Sequence, residues 1–160
     1  MDSITLELAD EPATLALAAT LAGLTKTGDV IALSGELGVG KTALARGFIQ
    51  AAHQHPEEVP SPTFTLVQIY EGGHDVIYHF DLYRLTDPEE AYELGIEEAF
   101  TNGISLIEWP EKLGPLIPRE RLEIKLEFIS NSPLTTLNSR RAVLTGHQGW
   151  ATRLKEAGLG

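Results

Sequence analysis

The sequence contains no cysteine and only one methionine among its 160 residues. Without thiols, disulfide bonds and thiolate metal sites are excluded. Its longest apolar stretch, residues 13–24, is rich in alanine and threonine and is shorter than the roughly 20 apolar residues that span a bilayer. The first residues, Met1-Asp2-Ser3, lack the basic start of a signal peptide. We therefore expect a cytoplasmic protein that does not insert into a membrane.

Positive charge is also scarce, since 12 lysines and arginines stand against 23 acidic residues, for a formal net charge of -11. A chain that holds RNA or DNA by itself needs a basic face that neutralises phosphates. A small basic surface could form around Arg119 and Arg121 or around Arg140 and Arg141, but solvated strand ends are the favoured interpretation of both pairs. Any contact with nucleic acid is therefore expected to pass through a partner.

Residues 35–42 form a complete phosphate loop, Gly-Glu-Leu-Gly-Val-Gly-Lys-Thr. Its glycines let successive backbone N–H groups point at one anion, and the following helix adds unpaired N–H groups. Lys41 suits the outer phosphates and the Thr42 hydroxyl suits Mg²⁺. An apolar strand precedes the loop and a helical segment, residues 42–52, follows it, as the motif requires. The predicted nucleotide-binding residues of this segment are Glu36, Leu37, Gly38, Val39, Gly40, Lys41, Thr42 and Ala43.

Two sequence motifs are absent, and their absence narrows the choice of nucleotide and of reaction. The sequence has no Asn-Lys-x-Asp element, which GTPases use to read guanine, so ATP is favoured over GTP. It also lacks an arginine-rich lid of the kind that small-molecule kinases use to clamp a second phosphate. A kinase acting on a metabolite nevertheless stays as the alternative function, and a non-catalytic nucleotide-binding module as a third.

A second acid for the metal is expected at the end of a strand beside the phosphate loop. Glu108 follows the apolar run 104–107 and fits that place. We predict that it binds Mg²⁺ with Thr42, directly or through water, whereas the alternative is an acid that caps the turn before Pro110. Trp109 either covers the site, presents an interface or belongs to the core.

Two further segments carry polar groups that suit the same site. A strand through residues 76–82, extended to Tyr83, places His79, Asp81 and Tyr83 on one face, where they would position water or hold a hydrated metal, although a solvent-exposed sheet face fits equally well. Hydroxyls in Ser61-Pro62-Thr63-Phe64-Thr65 suit a switch that senses the γ-phosphate, or simply turn chemistry. The candidates from these segments are Ser61, Thr63, Thr65, His79, Asp81 and Tyr83.

The pattern of strands and helices predicts a single α/β domain over residues 1–160. We expect a mixed, mostly parallel sheet of about seven strands flanked by helices, with one β-hairpin. Expected strands cover 4–8, 30–34, 63–70, 76–82, 104–107, 122–128 and 141–145. Expected helices cover 11–24, 42–52, 87–100 with a break at Gly95, and 149–157.

Four blocks in one order resemble the bacterial TsaE family, the ATPase of tRNA threonylcarbamoyladenosine biosynthesis. They are the phosphate loop, Ser-Pro-Thr-Phe-Thr-Leu-Val at 61–67, His-Phe-Asp-Leu-Tyr-Arg-Leu at 79–85 and Ile-Glu-Trp-Pro-Glu at 107–111. The similarity spans about residues 10–128. The phosphate loop alone is generic, but the other three blocks together are specific to the family.

This resemblance implies a P-loop ATPase fold and a Mg²⁺-dependent ATPase that binds a TsaB–TsaD heterodimer. Because no obvious arginine finger lies in the motif blocks, we expect hydrolysis by the isolated chain to be slow and to be stimulated by these partners. The ATPase would support turnover of threonylcarbamoyl transfer to the adenosine next to the anticodon without performing the transfer, and would meet tRNA only through the complex. Lys41, Asp81 and Glu108 would be the catalytic residues. The resemblance also implies that Glu11 approaches the nucleotide base and that residues 61–65 form a switch segment. Trp109 would lie near the nucleotide or near the interface with the partner. Arg84 is the one candidate for an arginine finger.

Overall fold

The computed structural model describes residues 3–53, 65–71, 73–129 and 139–159. Within those ranges, no helix has both the length and the apolar composition needed to cross a membrane. The strands are Ser3–Leu8 (β1), Val30–Gly35 (β2), Val67–Tyr70 (β3), Ile77–Asp81 (β4), Ile104–Glu108 (β5), Leu122–Phe128 (β6) and Arg140–Gly146 (β7). The helices are Glu11–Ala22 (α1), Lys41–His53 (α2), Glu90–Glu93 (α3), Ile96–Asn102 (α4) and Gly149–Glu156 (α5), with a 3₁₀ segment at Pro110–Leu116.

All seven strands belong to one sheet with the order β1-β7-β6-β2-β5-β4-β3. The four central strands β6, β2, β5 and β4 are parallel. On one side β7 is antiparallel to both β6 and β1, and on the other β3 forms an antiparallel hairpin with β4. Because β1 thus runs with the four central strands, five strands share one direction. The predicted mixed, mostly parallel sheet with a hairpin is confirmed.

Helices cover both faces of this sheet. Side chains of a strand alternate between faces, so Ile31 and Leu33 of β2 pack with α1, α2 and α5, whereas Val30 packs with α3 and α4. The strand that leads into the phosphate loop is therefore buried on both sides, which suits the centre of a parallel sheet. The carboxyl ends of β2, β5 and β4 meet at one edge, directly beside the start of α2.

Local sequence signals predict several of the boundaries of helices and strands. The Asp10 side chain accepts a hydrogen bond of 3.0 Å from the Ala13 N–H and caps α1, as its position predicts. Gly95, with φ of 80°, separates α3 from α4, as expected. Of the strand predicted for residues 63–70, residues 63 and 64 lie outside the described residues. The prediction is wrong for residues 65 and 66: β3 begins at Val67, because Leu66 adopts a left-handed φ of 67° that interrupts extended backbone.

A partly buried ion pair attaches the last helix to the residue before β2. The Arg153 guanidinium donates to both carboxylate oxygens of Asp29, at 2.5 and 2.9 Å, and lies 4.2 Å from the Trp150 ring centroid. Its hydrogen bond to Asp29 raises the pKa of Arg153 above its ordinary value, more than burial lowers it. Asp29 is only 6% exposed, so losing this partner would leave a desolvated carboxylate.

We predict that Arg153→Ala lowers the free energy of unfolding by about 3 kcal/mol, because it leaves the buried Asp29 carboxylate without its charged partner. The matched control is Arg141→Ala, since Arg141 is 41% exposed and lies 3.6 Å from Glu127, and it is expected to cost less than about 0.5 kcal/mol. Urea denaturation of both variants measures the difference. Equal losses in the two variants would show that the Asp29 pair does not anchor α5.

Candidate nucleotide site

The phosphate loop joins β2 to α2 through backbone that only glycine adopts easily. Gly35 has a φ of 137°, Gly38 of 81° and Gly40 of 116°. A Cβ atom on Gly35 would also run into the carbonyl oxygen of Leu126 on β6, whereas one on Gly38 would meet nothing within 4 Å. Gly35 is therefore required by both the backbone angle and the close approach of the neighbouring strand.

Lys41, the first residue of α2, is only 4% exposed. Its ammonium group donates to the carbonyl oxygens of Gly35 and Glu36, the latter at 3.2 Å. It also lies 3.7 Å from the centroid of the Trp109 ring, a cation–π contact. Burial lowers the pKa of Lys41 from its ordinary value, while Glu108 and other nearby carboxylates oppose that shift. The loop's own carbonyl oxygens and an aromatic face thus surround its lysine side chain.

Glu108 ends β5 and meets the start of α2. It is paired in register with Leu33 of β2 and Asp81 of β4, and it is 2% exposed. The Thr42 hydroxyl donates to Oε1 of Glu108 at 2.9 Å, and Nε2 of His79 lies 2.7 Å from Oε2. The structure therefore brings Thr42 and Glu108 together, where the strand-end argument expects them.

Asp81 and His79 lie on the same face of β4 as α2 and are buried, at 5% and 0% exposure. The alternative of a solvent-exposed sheet face is therefore wrong for both residues. Asp81 accepts a hydrogen bond of 3.1 Å from the Tyr83 N–H. The prediction that Tyr83 shares this strand face is wrong, because β4 ends at Asp81 and the chain turns. Tyr83 is 47% exposed, and its ring centroid lies 4.9 Å from that of Trp109.

Trp109 occupies a strained position at the end of β5. Its φ of 60° and ψ of 53° are left-handed, which is uncommon for a bulky side chain. This turn reverses the chain into the 3₁₀ segment and places the indole between Lys41 and Tyr83. Two of the three interpretations of Trp109 hold in part, since the ring covers the loop lysine and also packs against the core around α3 and α4.

These residues enclose a cavity of about 210 Å³ at the carboxyl edge of the parallel strands. Its lining residues are Leu37, Gly38, Gly40, Lys41, Thr42, Ala43, Asp81, Glu108 and Trp109. Most of the predicted phosphate-loop residues and all three predicted catalytic residues therefore face one space. His79 is not among the lining residues and reaches the cavity wall only through Glu108.

A second cavity of about 180 Å³ adjoins the first and shares Gly40 and Ala43 with it. Its other lining residues are Glu11, Thr14, Val39 and Arg140. Glu11, predicted to approach a nucleotide base, thus lies beside the phosphate loop.

Arg140 lines this second cavity, although its sequence context does not indicate a place there. Its Nε donates to the Val39 carbonyl oxygen at 3.0 Å, and its guanidinium lies 4.4 Å from the centroid of the Phe128 ring. It was interpreted as a solvated strand end. The register of β7 against β6 brings Arg140 to the loop, and no local sequence signal specifies that register.

Three further candidates among the described residues do not line either cavity. Thr65 is exposed and accepts a hydrogen bond of 3.1 Å from the Gln68 side chain. Arg84 is exposed and does not line the cavity around Lys41. The Glu36 side chain is also exposed, and its backbone carbonyl rather than its carboxylate contacts Lys41. Ser61 and Thr63 lie outside the described residues.

The donor set at the cavity wall suits Mg²⁺. A hydroxyl and a carboxylate, 2.9 Å apart, are hard oxygen donors. Across the part of the chain that the structure describes, no group of three or more His, Cys, Asp or Glu side chains could hold a metal. When Mg²⁺ is shared with substrate phosphates, the protein usually supplies only a few of its ligands, and waters and phosphate oxygens take the other coordination positions.

Comparison with known proteins decides the family. The sequence model of Threonylcarbamoyl adenosine biosynthesis protein TsaE matches residues 8–136. The chain belongs to the TsaE family. It is 42% identical over 125 residues to the tRNA threonylcarbamoyladenosine biosynthesis protein TsaE of Rickettsia conorii, covering 78% of this chain and 71% of that protein. For the TsaE protein of Haemophilus influenzae the identity is 38% over 138 residues, covering 82% and 87%.

A solved structure supports the same assignment. The crystal structure of Bacillus subtilis YdiB superposes with a TM-score of 0.81 at 27% sequence identity, covering 98% of this chain and 95% of that one. The P-loop fold and the family expected from the four motif blocks are confirmed. TsaE proteins act in tRNA threonylcarbamoyladenosine biosynthesis, so the predicted pathway is also confirmed.

We predict that Gly35→Ala and Gly38→Ala differ strongly although both glycines have positive φ. Gly35→Ala should lower the free energy of unfolding by about 3 kcal/mol, since strain and a backbone clash add. Gly38→Ala should cost about 1 kcal/mol, from the left-handed backbone alone. Thermal or urea denaturation measures both values. Similar losses would mean that β6 does not constrain the loop at Gly35.

Proposed function

We propose that this TsaE-family chain is a Mg²⁺-dependent ATPase that supports turnover of threonylcarbamoyl transfer by a TsaB–TsaD complex. The observation that carries the proposal is the convergence of Lys41, Thr42, Asp81 and Glu108 on one cavity beside a phosphate loop. A P-loop fold alone would be compatible with many nucleotide-dependent functions. A lysine, a hydroxyl and two carboxylates around one cavity are the parts that phosphoryl transfer to water requires.

Each residue of the cavity has a distinct task in this proposal. The loop N–H groups and Lys41 bind the phosphates and stabilise charge that develops on the γ-phosphoryl group. Thr42 and Glu108 hold Mg²⁺, which neutralises phosphate charge when bound. Asp81, in register with Glu108 on the adjacent strand, orients the attacking water through its carboxylate. Hydrolysis is then an in-line displacement in which water replaces ADP on the γ-phosphorus.

The neighbouring cavity is proposed as the site of the nucleoside. It continues from the phosphate cavity through Gly40 and Ala43. Glu11 supplies a carboxylate that accepts hydrogen bonds from amino or hydroxyl groups, and Arg140 supplies a planar cation. The adenine amino group and the ribose hydroxyls are ligands of that kind.

We expect slow hydrolysis by the isolated chain because the site has few cationic groups. Among the described residues that line the phosphate cavity, Lys41 is the only cation, and it faces Asp81 and Glu108. A second positive group is worth several orders of magnitude in other nucleotide hydrolases. Leu37, which lines this cavity, is 72% exposed, and Tyr83, whose ring packs on Trp109, is 47% exposed. Both side chains would be covered when a partner docks. We propose TsaB–TsaD as that partner.

The charge distribution supports an indirect relation to tRNA. The formal net charge is -11. Two of the four arginines considered as a basic surface are paired, Arg121 with Glu123 at 2.5 Å and Arg141 with Glu127 at 3.6 Å. Arg140 is directed at the phosphate loop. Contacts to RNA phosphates therefore have to come from the partners in this proposal.

The experiment that tests this function is ATP hydrolysis by the chain alone and with purified TsaB and TsaD. We expect slow release of phosphate by the isolated chain and a clear increase when the pair is added. An unchanged rate, or transfer of labelled phosphate to a metabolite, would contradict the proposal. The second result would instead favour the small-molecule kinase.

We predict that Lys41→Ala weakens ATP binding by about two orders of magnitude, since it removes a charge that contacts phosphate. Thr42→Ala should abolish Mg²⁺-dependent hydrolysis. Both variants should keep a cooperative unfolding transition close to that of the unchanged chain, because the two side chains serve the site rather than the core. Calorimetric binding and thermal denaturation check this. Loss of the fold without nucleotide would contradict the assignment.

Asp81→Ala should spare ATP binding and slow hydrolysis in the assembled complex by about 100-fold or more, which is typical of losing a group that positions or activates water. Glu97→Ala on the exposed surface of α4 is the control and should leave both quantities unchanged. Binding and single-turnover hydrolysis measured separately distinguish the two steps. Unaltered hydrolysis by Asp81→Ala would exclude a catalytic role for this carboxylate.

A further inference from the structure

His79 is a buried polar side chain beside the nucleotide site, and it has no task in the mechanism above. It lies on β4, and its exposure is 0%. A buried imidazole costs free energy unless its nitrogens find partners. The side chain would therefore be an unfavourable choice for a position that only fills space between hydrophobic neighbours.

Its single hydrogen bond within the described part of the chain goes to Glu108. Nε2 of His79 lies 2.7 Å from Oε2 of Glu108, whereas Nδ1 is buried without a partner among the same described residues. An ionised carboxylate only accepts hydrogen bonds, so Nε2 must carry the hydrogen. The tautomer is thus assigned by this contact, with a proton on Nε2.

The other oxygen of the same carboxylate faces the phosphate loop. Thr42 donates its hydroxyl to Oε1 of Glu108 at 2.9 Å. The two oxygens of Glu108 therefore have separate partners, one from β4 behind the carboxylate and one from α2 at the cavity wall. A glutamate side chain has three rotatable bonds, and a hydrogen bond to one oxygen restricts the direction of the other.

We propose that His79 is a positioning residue of the metal site, because its Nε2–H holds Oε2 of Glu108 so that Oε1 faces Thr42. His79 itself does not line the cavity, so it acts through Glu108 and not on the nucleotide. Hydrogen-bond partners behind metal-ligating carboxylates commonly control metal affinity in this way. The inference rests on the proposed function, since it assigns Thr42 and Glu108 to Mg²⁺.

The test compares the binding of AMP-PNP, a non-hydrolysable ATP analogue, in Mg²⁺ and in EDTA. In the unchanged chain Mg²⁺ should strengthen binding. His79→Leu, close in volume but unable to donate, should lower that Mg²⁺-dependent gain by about tenfold, within the range seen when such partners are removed. Binding in EDTA should stay unchanged, because the loop N–H groups and Lys41 are intact. A purely structural defect would weaken binding in both conditions.

The matched control is Ile77→Val, which trims a fully buried side chain on the same strand and face without touching Glu108. It should leave the Mg²⁺-dependent gain unaltered. His79→Gln and His79→Asn keep the test valid should His79→Leu fail to fold. The Gln amide nitrogen extends about as far as Nε2 and should restore the gain, whereas the shorter Asn should not.

Two results would overturn this inference. The first is an unchanged Mg²⁺-dependent gain in a folded His79→Leu variant or, should that variant not fold, in His79→Asn. The second is a crystal structure of either variant in which Oε1 of Glu108 still accepts from Thr42. Failure of the proposed function looks different, since the unchanged chain itself would then show no Mg²⁺-dependent binding of AMP-PNP, and the inference would fall with it.

Discussion

The parallel pairing of β2 with β5 fixes where a carboxylate lies relative to the phosphate loop. Leu33, two residues before Gly35, is in register with Glu108. Since parallel strands end at the same edge of the sheet, the loop that leaves β2 and the acid that ends β5 have to meet there. The pairing of β5 with β4 extends this edge and brings Asp81 level with Glu108. The site is thus a consequence of strand register.

The buried charged side chains at this edge of the sheet have hydrogen-bond partners within the protein. Lys41 donates to loop carbonyl oxygens and lies against Trp109, while Glu108 receives hydrogen bonds from Thr42 and His79. These contacts limit the cost of burying a lysine and a glutamate at a site that in our proposal binds phosphate and Mg²⁺. In our proposal, polyphosphate binding exchanges these internal partners for ligand partners.

The sequence predicted the parts of this site that lie close together along the chain. The phosphate loop is contiguous, and Glu108 is recognisable because an apolar strand ends directly at an acid. Contacts set by long-range pairing were not predictable, because nothing local specifies them. Arg140 reaches Val39 only through the order β7-β6-β2, and His79 reaches Glu108 only because β4 lies beside β5. Tyr83 was placed on the wrong face because period-two alternation was extended past the end of β4.

The most direct test of this account is a crystal structure of the chain with Mg²⁺ and AMP-PNP. The account predicts that the Lys41 ammonium group leaves the carbonyl oxygens of Gly35 and Glu36 for the phosphates. It also predicts that Thr42 and Glu108 separate to bind one Mg²⁺, with the nucleoside beside Glu11 and Arg140. A nucleotide bound elsewhere, or a Lys41 that keeps its carbonyl contacts in the complex, would contradict the proposed site.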